Sequence, residues 1–135
     1  MTELTFEFAH VGINAQSEEE LTRLKDFFSL VLGYENYREL PISFFTGDNK
    51  IELMKMNGRG TMGHLGFFVN DMPKAIEQLE AKGYTLDYEN ARYDDKKNIE
   101  LIYIQEEMNG FSIHLAVKKA PFYVEDEGRG LPVID

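Results

Sequence analysis

The sequence predicts an α+β fold in which one βαβββ unit occurs twice. Two short segments, FAHVGIN at residues 8–14 and MGHLGFF at residues 62–68, are near-copies of one another. Each is followed by a helical pattern that ends in Gly-Tyr, and each helix is followed by three strand-like segments. Repetition of this kind indicates a duplicated module. We place module 1 at about residues 4–56, a linker at 57–63 and module 2 at about residues 63–117, within a single domain of 135 residues.

Both predicted helices carry start signals and an apolar stripe. Ser17 and Glu20 form a capping box before the first helix, whereas Asp71 can cap the second and Pro73 falls in its first turn. The apolar residues at helical spacing are Leu21, Leu24, Phe28 and Leu32 in the first helix, and Ala75, Ile76 and Leu79 in the second. We therefore expect each helix to cover one face of its module.

The remaining segments alternate between strands and turns. The predicted strands lie at residues 35–40, 42–46 and 50–56 in module 1, and at 85–93, 99–105 and 111–117 in module 2. GDNK and Asn109–Gly110 supply hairpin turns, and the Gly-rich linker separates the modules. The tail at residues 118–135 belongs to neither copy and is predicted to be a flexible end or a packed arm.

Every histidine of the chain lies at a matching position of the two modules. His10 and His64 lie in the first strands, and the last strands, KIELMKM and SIHLAVK, place Glu52 and His114 between isoleucine and leucine. Imidazole and carboxylate groups are common metal ligands. The pattern therefore predicts a site built from these four residues.

Strand alternation predicts that these four side chains share one face of a sheet, with core-forming residues on the other. The residues predicted to share this face and contact a bound small molecule are Phe8, Met54 and Phe68. Gly12 and Gly66 follow two of the histidines by two positions, which leaves room for a ligand. The phase of Tyr103 is left open. For Arg59, the interpretation as a solvated linker residue is preferred to the alternative of a contact for an anionic substrate.

Composition excludes several classes of function. A net charge of −10 and a pI of about 4.7 argue against nucleic-acid binding. No apolar run approaches the ~20 residues of a membrane span, and no signal peptide is visible. The absence of cysteine excludes disulfides and thiolate metal sites. We expect a soluble, cytoplasmic protein with no nucleic-acid or membrane partner.

The segments HVGIN, IELM, GHLGFFV and IHLAV, in this order, resemble the vicinal oxygen chelate superfamily of glyoxalases, bleomycin-resistance proteins and extradiol dioxygenases. The resemblance covers about residues 5–117. It implies paired βαβββ modules in a half-open mixed β-barrel around a divalent metal held by His10, Glu52, His64 and His114. The sequence departs from the glyoxalase I pattern because His114 stands where a second glutamate is usual, and because EMNGF replaces a DPDGN-like turn.

Three imidazoles and one carboxylate suit one Zn²⁺, Ni²⁺, Co²⁺, Mn²⁺ or Fe²⁺ per site, and are unsuited to Ca²⁺ or Mg²⁺. The leading hypothesis is a glyoxalase-like lyase or isomerase acting on a small carbonyl substrate, with Glu52 as the catalytic base. The alternatives are non-catalytic sequestration of a small molecule, as in bleomycin-resistance proteins, and, more weakly, extradiol dioxygenation. The resemblance and the short length favour a homodimer, and modules closed within one chain or swapped between chains remain alternatives.

Overall fold

The computed structural model describes residues 3–34, 36–56 and 58–118, which form eight strands and two α-helices. In chain order they are β1 (Phe6–Asn14), α1 (Glu18–Asp26), β2 (Arg38–Glu39), β3 (Ser43–Thr46), β4 (Ile51–Met54), β5 (Gly63–Val69), α2 (Met72–Ala81), β6 (Leu86–Tyr93), β7 (Ile99–Met108) and β8 (Phe111–Val117). The α1 helix continues as a π-helical segment over Phe27–Val31. Most of the tail, residues 119–135, lies outside the described residues, as do Glu35 and Asn57.

The eight strands form one open mixed sheet in the order β2-β3-β4-β1-β5-β8-β7-β6. Each module contributes four adjacent strands, and the two halves join where β1 pairs antiparallel with β5. The β1–β4 and β5–β8 pairs are parallel, and the other neighbours are antiparallel. The predicted α+β fold with duplicated modules is confirmed, and both modules share one sheet within a single chain.

The predicted helix starts are confirmed by their capping contacts. The Ser17 hydroxyl accepts a hydrogen bond from the Glu20 amide at 3.1 Å, and the Asp71 carboxylate accepts one from the Lys74 amide at 3.1 Å. Each contact satisfies a backbone N–H that has no partner within the helix.

The two helices differ in how deeply they pack. In α2, Ala75 of the predicted stripe is buried and Ile76 and Leu79 pack against the same cluster, whereas Met72 is buried although it was not part of that stripe. In α1 no residue is fully buried, and Leu30 in the π-helical continuation is 80% exposed. The stripe predicted for the first helix is therefore only partly covered within the described residues.

The strand boundaries follow the prediction closely in module 2 and less closely in module 1. The strand predicted at residues 35–40 is reduced to Arg38–Glu39. The strand predicted at 99–105 extends to Met108, where it meets the turn at Asn109 and Gly110, both with positive φ. The GDNK hairpin turn is confirmed, since Thr46 pairs with Ile51 on either side of it.

The sheet presents two different faces. One packs on α2 through a cluster of Val69, Met72, Ala75, Leu86, Ile102, Ile104 and Leu115. The opposite face, called the cup face below, carries His10, Glu52, His64 and His114. Among the described residues, no helix is long and apolar enough to cross a membrane.

Candidate metal centre

Three ligand-type side chains meet at one point of the cup face. The Nε2 atoms of His10 and His64 are 3.0 Å apart, and the Glu52 Oε1 atom lies 3.3 Å from the first and 3.1 Å from the second. All three residues have no exposed surface. They form a group whose ligand atoms are mutually close enough to hold one metal ion.

The strand register explains why these side chains converge. Gly12 on β1 pairs with Glu52 on β4 on one side and with His64 on β5 on the other. Gly66 likewise pairs with His10 and with His114. The four central strands therefore bring all four ligand-type residues onto adjacent positions of the cup face.

Glycine is required at both of these positions by the imidazole rings that lie over them. A Cβ atom at Gly12 would lie 2.1 Å from His64 Cε1, and one at Gly66 would lie 2.3 Å from His114 Nε2. Such distances are far below van der Waals contact. The expectation that the two glycines leave room for a ligand is wrong, because the rings of His64 and His114 occupy that space.

The electrostatic setting of Glu52 keeps its carboxylate ionised. Burial raises its pKa, but hydrogen bonds from His10 and His64, together with their charges, outweigh burial and hold the pKa well below its usual range. The Ser43 hydroxyl donates to Glu52 Oε2 at 2.6 Å and fixes the second oxygen. The carboxylate is thus oriented with Oε1 towards the two imidazoles.

The donor set fits a divalent transition metal better than it fits a hydrogen-bond network. A neutral imidazole Nε2 carries either a proton or a lone pair. His10 Nε2, His64 Nε2 and Glu52 Oε1 make three contacts with one another. Protons can bridge at most two of these contacts, whichever protonation states the three groups have. Ligand atoms ~2.0–2.1 Å from Zn²⁺ stand roughly 3.3 Å apart in a tetrahedral site. The observed separations of 3.0–3.3 Å match that spacing.

His114 lies beside this group. Its ring centroid is 5.3 Å from that of His10 and 5.6 Å from that of His64, and the side chain is fully buried. Burial, followed by the charges of the other two histidines, lowers its pKa well below the ordinary value. His114 is therefore held as a neutral imidazole, the form that binds metals.

Two of the three residues predicted to contact a small molecule, Met54 and Phe68, lie at the cup face. Met54 is fully buried two positions after Glu52, and Phe68 packs on Leu101, Tyr103 and Ala116 on the cup face. These placements are compatible with substrate contact, which stays a prediction for both residues.

The face predicted for Phe8 is wrong. A β-bulge between Phe8 and His10 shifts the strand phase, so that Phe8 pairs with Phe67 and meets its ring edge-on at 5.9 Å. Phe67 packs against the cluster under α2, which places Phe8 on the opposite face from His10. Simple alternation could not reveal this, because an extra residue inverts the pattern.

Several cup residues were missed or left open in the sequence. Phe45 and Ser43 pair with Glu52 and Met54 across the β3–β4 hairpin, and the GDNK turn would have fixed this register. Tyr103, whose phase was open, pairs with His114, and their ring centroids are 5.0 Å apart. Arg59 forms an ion pair with Asp87 that depends on the folded linker, and no local pattern in the sequence indicates this pair.

No protein-family model and no curated protein matches the sequence. Solved structures do match its fold. A hypothetical protein, BH1468 from Bacillus halodurans C-125, aligns with a TM-score of 0.57 and 16% identity over 86% of this chain and 96% of its own.

Methylmalonyl-CoA epimerases match to a similar degree. The enzyme from Mycobacterium tuberculosis has a TM-score of 0.55 and 20% identity over 86% of this chain and 90% of its own. The Streptomyces coelicolor enzyme, in complex with 2-nitronate-propionyl-CoA, has a TM-score of 0.56 and 14% identity over 87% of this chain and 100% of its own. At such identities the likeness shows the fold alone. The chain therefore has the fold of these epimerases, and the fold implied by its resemblance to the vicinal oxygen chelate superfamily is confirmed.

Proposed function

We propose that this chain is a divalent-metal-dependent enzyme of the vicinal oxygen chelate type that moves a proton at a carbon next to a carbonyl group. The observation that carries the proposal is the group formed by His10, Glu52 and His64, whose ligand atoms lie within 3.0–3.3 Å of one another with no exposed surface. The donor set suits Zn²⁺, Ni²⁺, Co²⁺, Mn²⁺ or Fe²⁺. His114 would serve as a fourth, neutral ligand or as a contact for the substrate.

A bound metal would supply a Lewis acid for the negative charge that develops on a substrate oxygen. The chain supplies the base. When the Nε2 atoms of His10 and His64 are engaged as ligands, they no longer donate to Glu52 Oε1. A ligated Glu52 would be held ionised by the charge of the ion, so it would act as the base only after leaving the metal when substrate binds; burial would then raise the proton affinity of the released carboxylate.

The surroundings of Glu52 support this role. Ser43 holds Oε2 at 2.6 Å, so that the carboxylate cannot turn freely when Oε1 changes partners. Met54, Phe45 and Tyr103 are buried beside the site and exclude water. The fold is shared with methylmalonyl-CoA epimerases, and proton transfer at a carbon next to a carbonyl is an elementary step by which such a stereocentre can be inverted.

The proposal is tested by deuterium exchange. Metal-free protein is loaded separately with each of the five metals and incubated in D₂O with a panel of small α-hydroxycarbonyl and 2-oxo compounds, and ¹H NMR follows loss of the α-proton signal. We expect at least one compound to exchange its α-proton with at least one of the metals bound. Exchange should be abolished in Glu52→Gln. It should be retained in the control variant Glu20→Gln, which removes a carboxylate from the surface of α1.

Full metal occupancy without exchange of any compound would overturn the proposal. A compound that raises the melting temperature equally with and without a chelator, and that undergoes no exchange, would instead support non-catalytic sequestration.

A further inference from the structure

Arginine side chains are concentrated at the cup although the protein is acidic. The chain has five arginines and a net charge of −10. Arg38 lies over the Phe45 ring at 4.8 Å, Arg59 lies over the Tyr103 ring at 4.4 Å, and Arg92 pairs in register with Leu101 on the cup face. Three of the four arginines in the described part of the chain thus lie at this face, and local positive charge attracts anionic ligands.

Arg59 is held in place by its backbone neighbours. The Asn14 side chain, 5% exposed on β1, donates through Nδ2 to the Gly60 carbonyl at 2.8 Å and accepts through Oδ1 from the Gly58 amide at 2.9 Å. Both polar atoms of the Asn14 side-chain amide therefore hydrogen-bond to the residues that flank Arg59. This segment is fixed to the cup, and the interpretation of Arg59 as a solvated linker residue is wrong.

The guanidinium of Arg59 is separated from the candidate metal centre by one aromatic ring. It lies over Tyr103, whose own ring centroid is 5.0 Å from that of His114. The Arg59 side chain is 25% exposed, whereas Tyr103 beneath it is 3% exposed. Arg59 thus lies between solvent and the buried site, where an entering ligand would meet it.

A carboxylate already occupies the binding face of this guanidinium. Asp87, 5% exposed, contacts Arg59 through Oδ2 at 2.7 Å. Asp87 also accepts hydrogen bonds from the Asn90 side chain at 2.9 Å and the Asn90 amide at 3.3 Å. If Arg59 turned to another carboxylate, Asp87 would lose its cationic partner but would keep its hydrogen bonds from Asn90, so its oxygens would not be left without donors.

We propose that Arg59 binds a carboxylate of the substrate in place of Asp87, so that the substrate is an anion whose carboxylate lies away from its reacting carbonyl. Guanidinium is suited to this exchange because it is always charged and pairs with carboxylates in a fixed, two-pronged geometry. The proposal rests on the proposed function for the identity of the reacting end. The placement of the carboxylate rests on Arg59 and Asp87 alone.

The test compares two probes that differ only at the distal end. 2-Oxoglutarate carries a distal carboxylate and 2-oxopentanoate carries a methyl group there, and calorimetry measures the dissociation constant of each. We expect wild type to prefer 2-oxoglutarate by about tenfold or more, the size of one charge-assisted hydrogen bond. Arg59→Gln should erase the preference, Asp87→Asn should increase it, and Arg23→Gln on the surface of α1 should leave it unchanged.

The outcomes separate this inference from the proposed function. Equal affinity for the two probes in metal-loaded wild type, or a preference that survives in Arg59→Gln, would overturn the inference. If metal loading changed the affinity of neither probe, while the preference for 2-oxoglutarate persisted and was lost in Arg59→Gln, the inference would be supported and the metal-dependent function contradicted. Circular dichroism melts of each variant establish that it is folded, and Arg59→Lys, which keeps the charge, should retain part of the preference.

Discussion

Replacing Gly12 by alanine should abolish metal binding by displacing His64. The new Cβ would lie 2.1 Å from His64 Cε1 and 2.5 Å from both ring nitrogens. Carbon atoms in contact are ~3.5–4.0 Å apart, so the ring would have to move by more than about 1 Å. A metal site tolerates only about ±0.2 Å in its ligand distances. The displacement therefore exceeds what ligation allows by roughly fivefold.

The matched variant is Gly66→Ala, which presses mainly on His114 and approaches His10 Cε1 at a milder 3.1 Å. Its Cβ would lie 2.3 Å from His114 Nε2, so the overpacking is nearly as severe. We expect each variant to lose about 1–3 kcal/mol of the free energy of unfolding, as overpacked cores do. Because His64 belongs to the close group and His114 lies beside it, Gly12→Ala should reduce metal affinity far more than Gly66→Ala.

The assay is metal titration of both folded variants by calorimetry, with thermal melts of the same samples. If Gly12→Ala bound metal as tightly as wild type, the His64 ring would not lie over Gly12 as described. If the two variants lost affinity equally, His114 would be as much a ligand as His64.

Three further predictions address the surroundings of the site. Ser43→Ala removes the 2.6 Å hydrogen bond to Glu52, and should lower metal affinity by about 10–100-fold in a calorimetric titration, as loss of a ligand's supporting partner does; unchanged affinity would mean that the hydroxyl does not orient the carboxylate. His114 has a folded pKa depressed below its unfolded value of 6.5, so the unfolded chain takes up a proton that the folded chain refuses. The metal-free protein should therefore lose about 1.4 kcal/mol of stability per pH unit as the pH falls below about 6.5, measured by urea unfolding, with a shallower slope in His114→Asn. A slope that is the same in both proteins would contradict the assignment. Phe68→Ala should weaken binding of a small-molecule ligand of the cup, whereas Phe8→Ala should not, because Phe8 lies on the opposite face; equal effects would refute that placement.

The sequence predicts the fold and the ligand set because both are carried by a repeat. His10 and His64 occupy matching strands, and strand alternation aligns them with Glu52 and His114 once the four strands are neighbours. The GDNK turn and the helix caps at Ser17 and Asp71 depend only on neighbouring residues, and the structure forms all three as predicted.

The features that escaped prediction depend on non-local geometry. The β-bulge between Phe8 and His10 places the Phe8 side chain on the opposite face of the sheet, and no residue in that segment indicates a bulge. The ion pair of Arg59 with Asp87 joins residues 28 positions apart through a linker that has no regular structure. Ser43 is one of four serines in the chain, and nothing in its sequence neighbourhood indicates that its position opposite Met54 brings its hydroxyl to Glu52.

The metal site formed by His10, Glu52 and His64 is tested by the metal content of the purified protein, determined by elemental analysis of wild type and His64→Ala with and without added metal. We expect one divalent transition metal per chain in wild type and none in His64→Ala. Absence of bound metal in wild type after loading, or equal occupancy in the two proteins, would contradict it.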